Sequence, residues 1–287
     1  VDLNAGGAGS TTNITQAAVI TANTLDAVAT NGIALTAQNV VPTVTLNNTN
    51  AGNVEYDSDL ATSAATALTV SGANTVAGGT FDVEETTDGM TIAAAGIATN
   101  GGVIDLETEA ADQTMTLEGS VQSNQTSADG ANITLTADRM DLDGAANNAG
   151  GINAGAQGRV TLVSVTATDA IDLGSATDAA ADTLELSGNE LTGITSEHLI
   201  VGNANTAGIT FSADVSAANV ADTVHLYSAT GAAAGAVDGT AGGLTANNLA
   251  VTATDHVIMS SGNNVTNLAV NATGANVTFV EADGLSI

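Results

Sequence analysis

Apolar and polar residues alternate in short runs along the chain, and most runs end at glycine, asparagine or aspartate. Examples are residues 33–37, 133–137, 160–163 and 184–186. Such alternation is typical of strands with one buried face, and the residues that end the runs favour turns. No helical spacing of apolar residues persists for more than two turns. The pattern therefore predicts many short strands and very little helix.

The C-terminal part of the chain repeats itself at a spacing of about 20 residues. Residues 248–253 (Asn-Leu-Ala-Val-Thr-Ala) return as residues 267–272 (Asn-Leu-Ala-Val-Asn-Ala), and residues 257–259 correspond to residues 277–279. A repeat of this length is one coil of a solenoid, whose apolar face becomes buried only when another coil stacks on it. We therefore predict an all-β fold, a right-handed parallel β-helix (β-solenoid) with about 20 residues per coil.

Asparagine occupies equivalent positions in two of these repeats, at Asn248 and Asn267. Equal register in successive coils lets side-chain amides hydrogen-bond along the stack as a ladder. Asparagine also tolerates the left-handed backbone of turns. Both interpretations are open, and neither is catalytic.

We expect a single continuous β-helix shaft segment over residues 1–287, with roughly 14 coils and a length of about 65 to 70 Å. The similarity of residues 114–116 to residues 134–136 fits the 20-residue period. Two Gly-rich stretches, residues 144–158 and 231–243, are interpreted as loop excursions or as ordinary turns of coils. Both ends of the chain have strand patterns without a cap, so we expect the rod to continue covalently or by end-to-end stacking.

Charge restricts the classes of partner. The chain has no lysine and two arginines, Arg139 and Arg159, against 31 acidic residues, which gives a formal net charge of −29. Nucleic acids, anionic membranes and phosphorylated ligands bind positive surfaces. We therefore expect no nucleic-acid partner and no membrane insertion. Because only 11% of residues are charged and the mean hydropathy is +0.22, we expect a folded chain.

Carboxylate pairs offer oxygen ligands of the kind that calcium accepts. The nonapeptide GGxGxDxUx, which binds calcium in other β-solenoids, is absent from the sequence, and acidic residues at alternate strand positions usually form a solvated face. We therefore predict no catalytic, cofactor-binding or metal-site residues and no cofactor, with calcium kept open as an alternative. The candidate pairs are Asp141 with Asp143, Asp169 with Asp172, and Asp178 with Asp182.

Enzymatic chemistry has little support in the sequence. Hydrolases and lyases that act on polysaccharides need converging carboxylates and usually a basic partner, for which Arg139 and Arg159 are the candidates. We therefore expect that the chain is not an enzyme, and keep a polysaccharide-active β-helix enzyme as a lesser alternative. The three histidines share no spacing and are interpreted as hydrogen-bonded or exposed side chains: His198, His225 and His256.

Two stretches resemble a known family. Residues 198–212 read HLIVGNANTAGITFS, and residues 263–287 read NNVTNLAVNATGANVTFVEADGLSI. These sequences resemble the shaft of the filamentous-haemagglutinin-like large exoproteins of two-partner secretion. Residues 5–39 are similar in style, whereas residues 41–130 match in composition alone. The Asn-Pro-Asn-Gly-Ile-like secretion motif of that family is absent from this sequence.

The resemblance implies a structural shaft or repeat segment of an exported bacterial surface fibre or adhesin, secreted or located at the cell surface. Its expected partners are itself or neighbouring segments of the same exoprotein, end to end, and a host or matrix glycan. A carbohydrate- or receptor-binding adhesin module is the alternative function. The low aromatic content, 2%, argues against a broad stacking platform for sugars.

Overall fold

The computed structural model describes residues 1–6, 12–124, 129–143, 151–217, 219–229, 235–274, 276–282 and 284. Within these residues the chain forms 26 strands and one short helix. The helix is α1 (Gly188–Thr192). The strands are β1 (Asp2–Ala5), β2 (Ile14–Thr15), β3 (Leu25–Ala29), β4 (Ile33–Asn39), β5 (Thr43–Asn48), β6 (Val54–Ser58), β7 (Ala67–Ala77), β8 (Phe81–Glu85), β9 (Gly89–Asn100), β10 (Ile104–Thr108), β11 (Thr114–Leu117), β12 (Val121–Gln122), β13 (Ile133–Thr136), β14 (Arg139–Asp141), β15 (Ile152–Asn153), β16 (Arg159–Val163), β17 (Ala170–Leu173), β18 (Thr183–Leu186), β19 (Ile194–Asn203), β20 (Gly208–Phe211), β21 (Val215–Ser216), β22 (Val220–Ser228), β23 (Ala236–Asp238), β24 (Leu244–Ala253), β25 (Val257–Ala272) and β26 (Val277–Glu281).

One parallel ladder, which we call the long ladder, runs through the described part of the chain. Its eleven strands are, in stacking order, β2, β4, β6, β8, β10, β13, β16, β19, β22, β24 and β25. A second parallel ladder links β1, β3, β5, β7, β9, β11 and β14. A third links β18, β17, β20, β23, β25 and β26. The prediction of an all-β fold of stacked parallel strands is confirmed, and the arrangement is consistent with a β-solenoid.

The core consists of columns of aliphatic side chains that stack from strand to strand. Alternate residues of each strand point inwards because successive side chains lie on opposite faces. Stacking like on like suits β-branched and aliphatic side chains, which pack closely at the strand spacing of about 4.8 Å. In the middle of the long ladder, two adjacent columns are fully buried: Ile104, Ile133 and Val160 in one, and Leu106, Leu135 and Leu162 in the other.

A uniform 20-residue coil is not confirmed. Paired residues are 19 positions apart between β24 and β25, 29 between β10 and β13, and 39 between β16 and β19. The longer intervals arise where further elements lie between the paired strands: β11 and β12 between β10 and β13, and β17, β18 and α1 between β16 and β19. Eleven stacked strands span roughly 50 Å, which is shorter than the rod expected from a constant period.

The C-terminal repeat is confirmed as a structural register. Residues 248–253 of β24 pair one to one with residues 267–272 of β25. Residues 257–259 of β25 pair in the same way with residues 277–279 of β26. The sequence repeat therefore marks true coil-to-coil neighbours in this part of the chain.

The similarity between residues 114–116 and residues 134–136 does not mark neighbouring coils. Thr114 pairs with Arg139 in the second ladder, whereas Thr134 pairs with Asp105 and Thr161 in the long ladder. The two segments belong to different ladders. Their likeness reflects the preference of threonine and aliphatic residues for strands in general.

The two Gly-rich stretches continue the winding where they are described. Residues 144–150 and 231–234 lie outside the described residues. The remainder of the first stretch contains β15, which pairs with β12 and β19, and the remainder of the second contains β23, which pairs with β20 and β25. Among the described residues, no helix has the length and apolar character needed to cross a membrane.

Candidate functional site

Three carboxylates from distant parts of the sequence meet beside the coil. Asp141 ends β14, Asp178 lies in the connection between β17 and β18, and Glu190 belongs to α1. One carboxylate oxygen of each residue lies within 4.8 Å of those of the other two. Asp143 and Ser187 line the adjoining pocket, which has a volume of about 220 Å³. We call Asp141, Asp178 and Glu190 the carboxylate group.

Glu190 is held in place by the cap of the short helix. Its Oε2 accepts a hydrogen bond of 2.6 Å from the backbone N–H of Ser187, and Ser187 Oγ accepts one of 3.2 Å from the N–H of Glu190. Its Oε1 accepts a further bond of 2.8 Å from the N–H of Leu142. The reciprocal Ser-x-x-Glu arrangement is a capping box, a signal that was readable in the sequence. The capping box explains why a short helix forms at this point, between two strands.

Ionisation of two members of the carboxylate group, Glu190 and Asp178, is unfavourable in the folded chain. The pKa of Glu190 is raised to about 7, mainly by burial and in part by the charge of Asp178. The hydrogen bonds from the N–H groups of Leu142 and Ser187 act in the opposite direction, because they favour the carboxylate. Burial also raises the pKa of Asp178 to about 6, with the charges of Asp141, Glu185 and Asp143 adding to the shift. Close oxygen atoms of this kind could hold a hard cation such as calcium.

The carboxylates that lie together in the structure are not the pairs expected from the sequence. Asp141 and Asp178 belong to different candidate pairs and are brought together, whereas Asp182 is outside the carboxylate group. Asp169 instead accepts a hydrogen bond of 3.0 Å from Ser164 Oγ. Asp172 accepts one of 3.0 Å from the backbone N–H of Ser212. Glu190 was missed because it reaches Asp141 only through the packing of β18 beside β14.

A second acidic surface covers three adjacent strands of the long ladder. Outward positions of β6, β8 and β10 carry two parallel rows of three carboxylates, in register from strand to strand. Burial raises the pKa of Glu84 to about 7, with Glu109 and Asp57 adding to the shift, and burial raises the pKa of Asp82 to about 6. We call these two rows the acidic face: Glu55, Asp82 and Asp105 in one, and Asp57, Glu84 and Glu107 in the other.

A different surface lies further along the outward side of the long ladder. Arg159 of β16 is the register partner of His198 of β19, and Ile200 of β19 is the register partner of His225 of β22. These side chains surround an open, largely apolar pocket with a volume of about 170 Å³. We call it the Arg159 pocket, and it is lined by Arg159, His198, Ile200, Thr223, His225 and Ala250.

An aromatic pair stands at one side of the Arg159 pocket. The rings of His225 and Tyr227 are stacked, with centroids 5.3 Å apart and planes 7° from parallel. Nε2 of His225 shares a hydrogen bond of 3.0 Å with Thr252 Oγ1. Burial lowers the pKa of His225 and the nearby Arg159 guanidinium lowers it further, so the imidazole is neutral at pH 7.

A glycine permits the close approach of the strands at this point. Gly202 is the register partner of Tyr227 and has a φ of 84°, which side chains rarely adopt. A Cβ atom at Gly202 would lie 2.4 Å from the carbonyl oxygen of Tyr227. Any larger residue would therefore displace the strand that carries the aromatic pair.

The two arginines have different surroundings. Arg139 forms an ion pair of 2.9 Å with Asp112 and also donates a hydrogen bond to its backbone carbonyl. Arg159 is exposed, and among the described residues no carboxylate lies within ion-pair distance of its guanidinium. Its neighbour His198 has Nδ1 3.5 Å from Asp222 Oδ2. Its Nε2 lies 3.9 Å from Glu197 Oε2, so the positive charge of the pocket is the guanidinium of Arg159, and the nearby carboxylates lie on the His198 side.

No local sequence pattern groups these residues. Their proximity depends on the 39-residue register between β16 and β19, which no local repeat reveals. His198 and His225, which share no spacing in the sequence, lie in the same pocket, and His225 is hydrogen-bonded as expected. His256 lies elsewhere, with Nδ1 3.3 Å from Asp255 Oδ2.

Comparisons with protein families, curated proteins and solved structures found no match for this chain. The resemblance to filamentous-haemagglutinin-like exoproteins therefore stays an expectation from the residues quoted above.

Proposed function

We propose that this chain is a structural shaft or repeat segment of an exported bacterial surface fibre or adhesin. The observation that carries the proposal is the long ladder, in which eleven strands stack in parallel over matched apolar columns. Each coil of such a stack contacts its neighbours alone, so the architecture extends in one direction and provides length and surface. The resemblance to the shafts of filamentous-haemagglutinin-like exoproteins agrees with this role.

The proposal includes a right-handed winding with a basic coil of about 20 residues, lengthened by loops. Connections between parallel strands of one sheet are right-handed in about 98% of cases. The 19-residue register between β24 and β25 supports the basic coil, because these strands are joined without extra elements. The proposal includes a location outside the cell, secreted or at the bacterial surface, with no enzymatic activity and no cofactor required.

End-to-end contact with itself or with neighbouring segments is part of the proposal. Among the described residues, β26 pairs with β25 alone and β1 with β3 alone, so each leaves one strand edge open. On β26, Val277 is 48% exposed and Val280 is 44% exposed. An open edge with apolar side chains is a template for another strand, and heterologous stacking at such an edge extends a rod without closing it.

Imaging of the isolated chain tests the proposal. We expect negative-stain electron microscopy to show rods of roughly 50 Å and of multiples of that length, with light scattering reporting the same distribution. Globular particles without elongation would contradict the shaft. Rods that stay single at all concentrations would contradict end-to-end stacking but not the shaft itself.

A carbohydrate- or receptor-binding adhesin module remains the second candidate. The observation that favours it is the Arg159 pocket with its stacked His225 and Tyr227. A polysaccharide-active enzyme is the lesser alternative, and a depolymerisation assay on acidic and neutral polysaccharides would reveal it. Binding without chain cleavage is the outcome that the adhesin alternative requires.

A further inference from the structure

We propose that the Arg159 pocket binds an acidic saccharide, through a pyranose ring that bears one carboxylate. The site does not depend on the chain being a shaft segment, since its residues come from adjacent strands of one ladder. Binding and elongation are therefore tested by separate experiments, and either can fail alone.

The cation of the site is the guanidinium of Arg159. Arg159 presents a planar guanidinium whose N–H groups match a carboxylate in a bidentate geometry. Arg139, the other arginine of the chain, is occupied by Asp112 at 2.9 Å. With 31 acidic residues in the chain, an exposed guanidinium that no described carboxylate contacts is available for an external carboxylate.

The walls of the pocket suit the apolar face of a sugar ring. His225 is neutral and is backed by Tyr227 in a stacked pair, so its ring stands rigidly beside the pocket. Ile200 and Ala250 lie on either side of His225 in the same register row and give the pocket an apolar lining. A small, mostly apolar pocket with a few convergent polar groups is typical of ligand sites. Inorganic anions have no apolar face to use such walls.

Polar groups around the pocket are held in fixed orientation by Asp222. Its Oδ1 accepts a hydrogen bond of 2.8 Å from Asn248 Nδ2, and its Oδ2 accepts one of 3.0 Å from Thr223 Oγ1. Oδ2 also lies 3.5 Å from Nδ1 of His198. These contacts fix the orientation of the Thr223 hydroxyl and the His198 imidazole, both of which line the pocket.

Because the chain has a net charge of −29, the pocket should accept a ligand with one carboxylate and repel a ligand with many. The nearest strand of the acidic face, β10, lies two strands from β16 in the long ladder, a separation of about 10 Å. Charges at this distance are largely screened at physiological salt, where the Debye length is about 8 Å. Closer still, the carboxylates of Asp222 and Glu197 lie 3.5 and 3.9 Å from the ring nitrogens of His198. A single ligand carboxylate is therefore accommodated at Arg159 alone, whereas a densely charged polyanion would meet these two carboxylates as well as the acidic face.

The test is an NMR titration of the full chain labelled with nitrogen-15. The probes are the methyl glycosides of glucuronate and galacturonate, with methyl glucoside, acetate and inorganic phosphate as comparisons. We expect at least one uronide to shift the amides of residues 198–202 and 223–227 with an affinity in the roughly millimolar range. The glucoside, which lacks the carboxylate, and acetate, which lacks the ring, should each bind at least tenfold more weakly.

Variants separate the two parts of the site. Arg159→Gln should weaken uronide binding at least tenfold, and Arg139→Gln is the matched control that should leave it unchanged. His225→Ala should weaken uronide binding while leaving the weak binding of acetate unaltered. Circular dichroism of each variant verifies that the fold is retained.

Three results would overturn the proposal. They are the absence of saturable shifts with both uronides, equal uronide binding by Arg159→Gln and the unaltered chain, and binding of acetate or phosphate as tight as that of the uronides. The last result would identify an adventitious contact for small anions.

Discussion

The side-chain amide of Asn267 donates a hydrogen bond of 2.6 Å to Oδ1 of Asn248, and the two residues are direct register partners in β25 and β24. Asn248 in turn donates hydrogen bonds of 2.8 Å to the backbone carbonyl and to Oδ1 of Asp222 on the next strand. Of the two interpretations that the sequence left open, the amide ladder is confirmed. Both asparagines lie within strands and not in turns.

We expect this ladder to contribute measurably to stability. Asn267→Ala removes one side-chain hydrogen bond and should lower the free energy of unfolding by about 0.5 to 1.5 kcal/mol, and Asn248→Ala should cost more because it also releases Asp222. A double-mutant cycle measured by urea denaturation isolates the contact between the two amides. Strict additivity of the two single substitutions would show that the amide contact adds nothing.

The buried columns of the long ladder carry most of the stability. Leu135 is fully buried between its register partners Leu106 and Leu162. Leu135→Ala should therefore lower the free energy of unfolding by about 2 to 5 kcal/mol, through lost apolar burial and the cavity that remains. Thr134→Ala is the matched control, because Thr134 is the neighbouring outward residue, and a surface change should stay within about 0.5 kcal/mol. Equal effects of the two substitutions would contradict the assignment of the inward face.

The acidic face should make stability fall as pH rises. The pKa of Glu84 is raised to about 7 and that of Asp82 to about 6, so the folded chain holds these protons more tightly than the unfolded chain does. Their contribution to stability is fully present below the unfolded pKa values, about 4, and is lost as pH rises through about 6 to 7. The melting temperature should therefore be higher at pH 5 than at pH 8.

Glu84→Gln isolates one member of the acidic face. The substitution removes a charge that is unfavourable at pH 8, so it should raise the melting temperature there by about 1 to 3 °C and have little effect at pH 5. Glu118→Gln serves as control, because Glu118 is exposed and lies outside the acidic face. A melting temperature of Glu84→Gln that parallels the unaltered chain at every pH would refute a role of this row in the pH dependence.

The strand pattern was predictable because it is local. Alternation of apolar and polar residues places Leu135 inwards and Thr134 outwards without knowledge of any partner strand. The coil register was predictable only where two coils share a sequence, as in β24 and β25. Where β17, β18 and α1 intervene between β16 and β19, the register depends on how much chain lies between the paired strands, and no repeat encodes that length.

The candidate sites also differ in whether a local sequence signal predicts them. The capping box of Ser187 and Glu190 is a four-residue signal that the sequence contains, and it predicts α1 when it is recognised. The Arg159 pocket has no such signal, because Arg159, His198 and His225 become neighbours only through inter-strand register. Composition indicated correctly that basic residues are scarce, but composition cannot show which arginine an acidic partner already occupies.

The charge of Asp178 in the carboxylate group should destabilise the folded chain at pH 8. Its pKa is raised to about 6 by burial and by the charges of Asp141, Glu185 and Asp143, so at pH 8 the folded chain holds an unfavourable charge that the unfolded chain does not penalise. Asp178→Asn should therefore raise the melting temperature at pH 8 by about 2 to 4 °C, and by less at pH 5, where the folded chain is already protonated at this residue.

A comparison of calcium with sodium tests whether the carboxylate group binds a cation specifically. Calcium chloride and sodium chloride are compared at matched ionic strength by thermal denaturation at pH 8. Bound calcium would stabilise the unaltered chain in a saturable way beyond the effect of sodium, and Asp178→Asn would lose that gain because one of three oxygen ligands is no longer charged. If both salts raise the melting temperature equally in both proteins, screening explains the stabilisation and the calcium hypothesis is rejected.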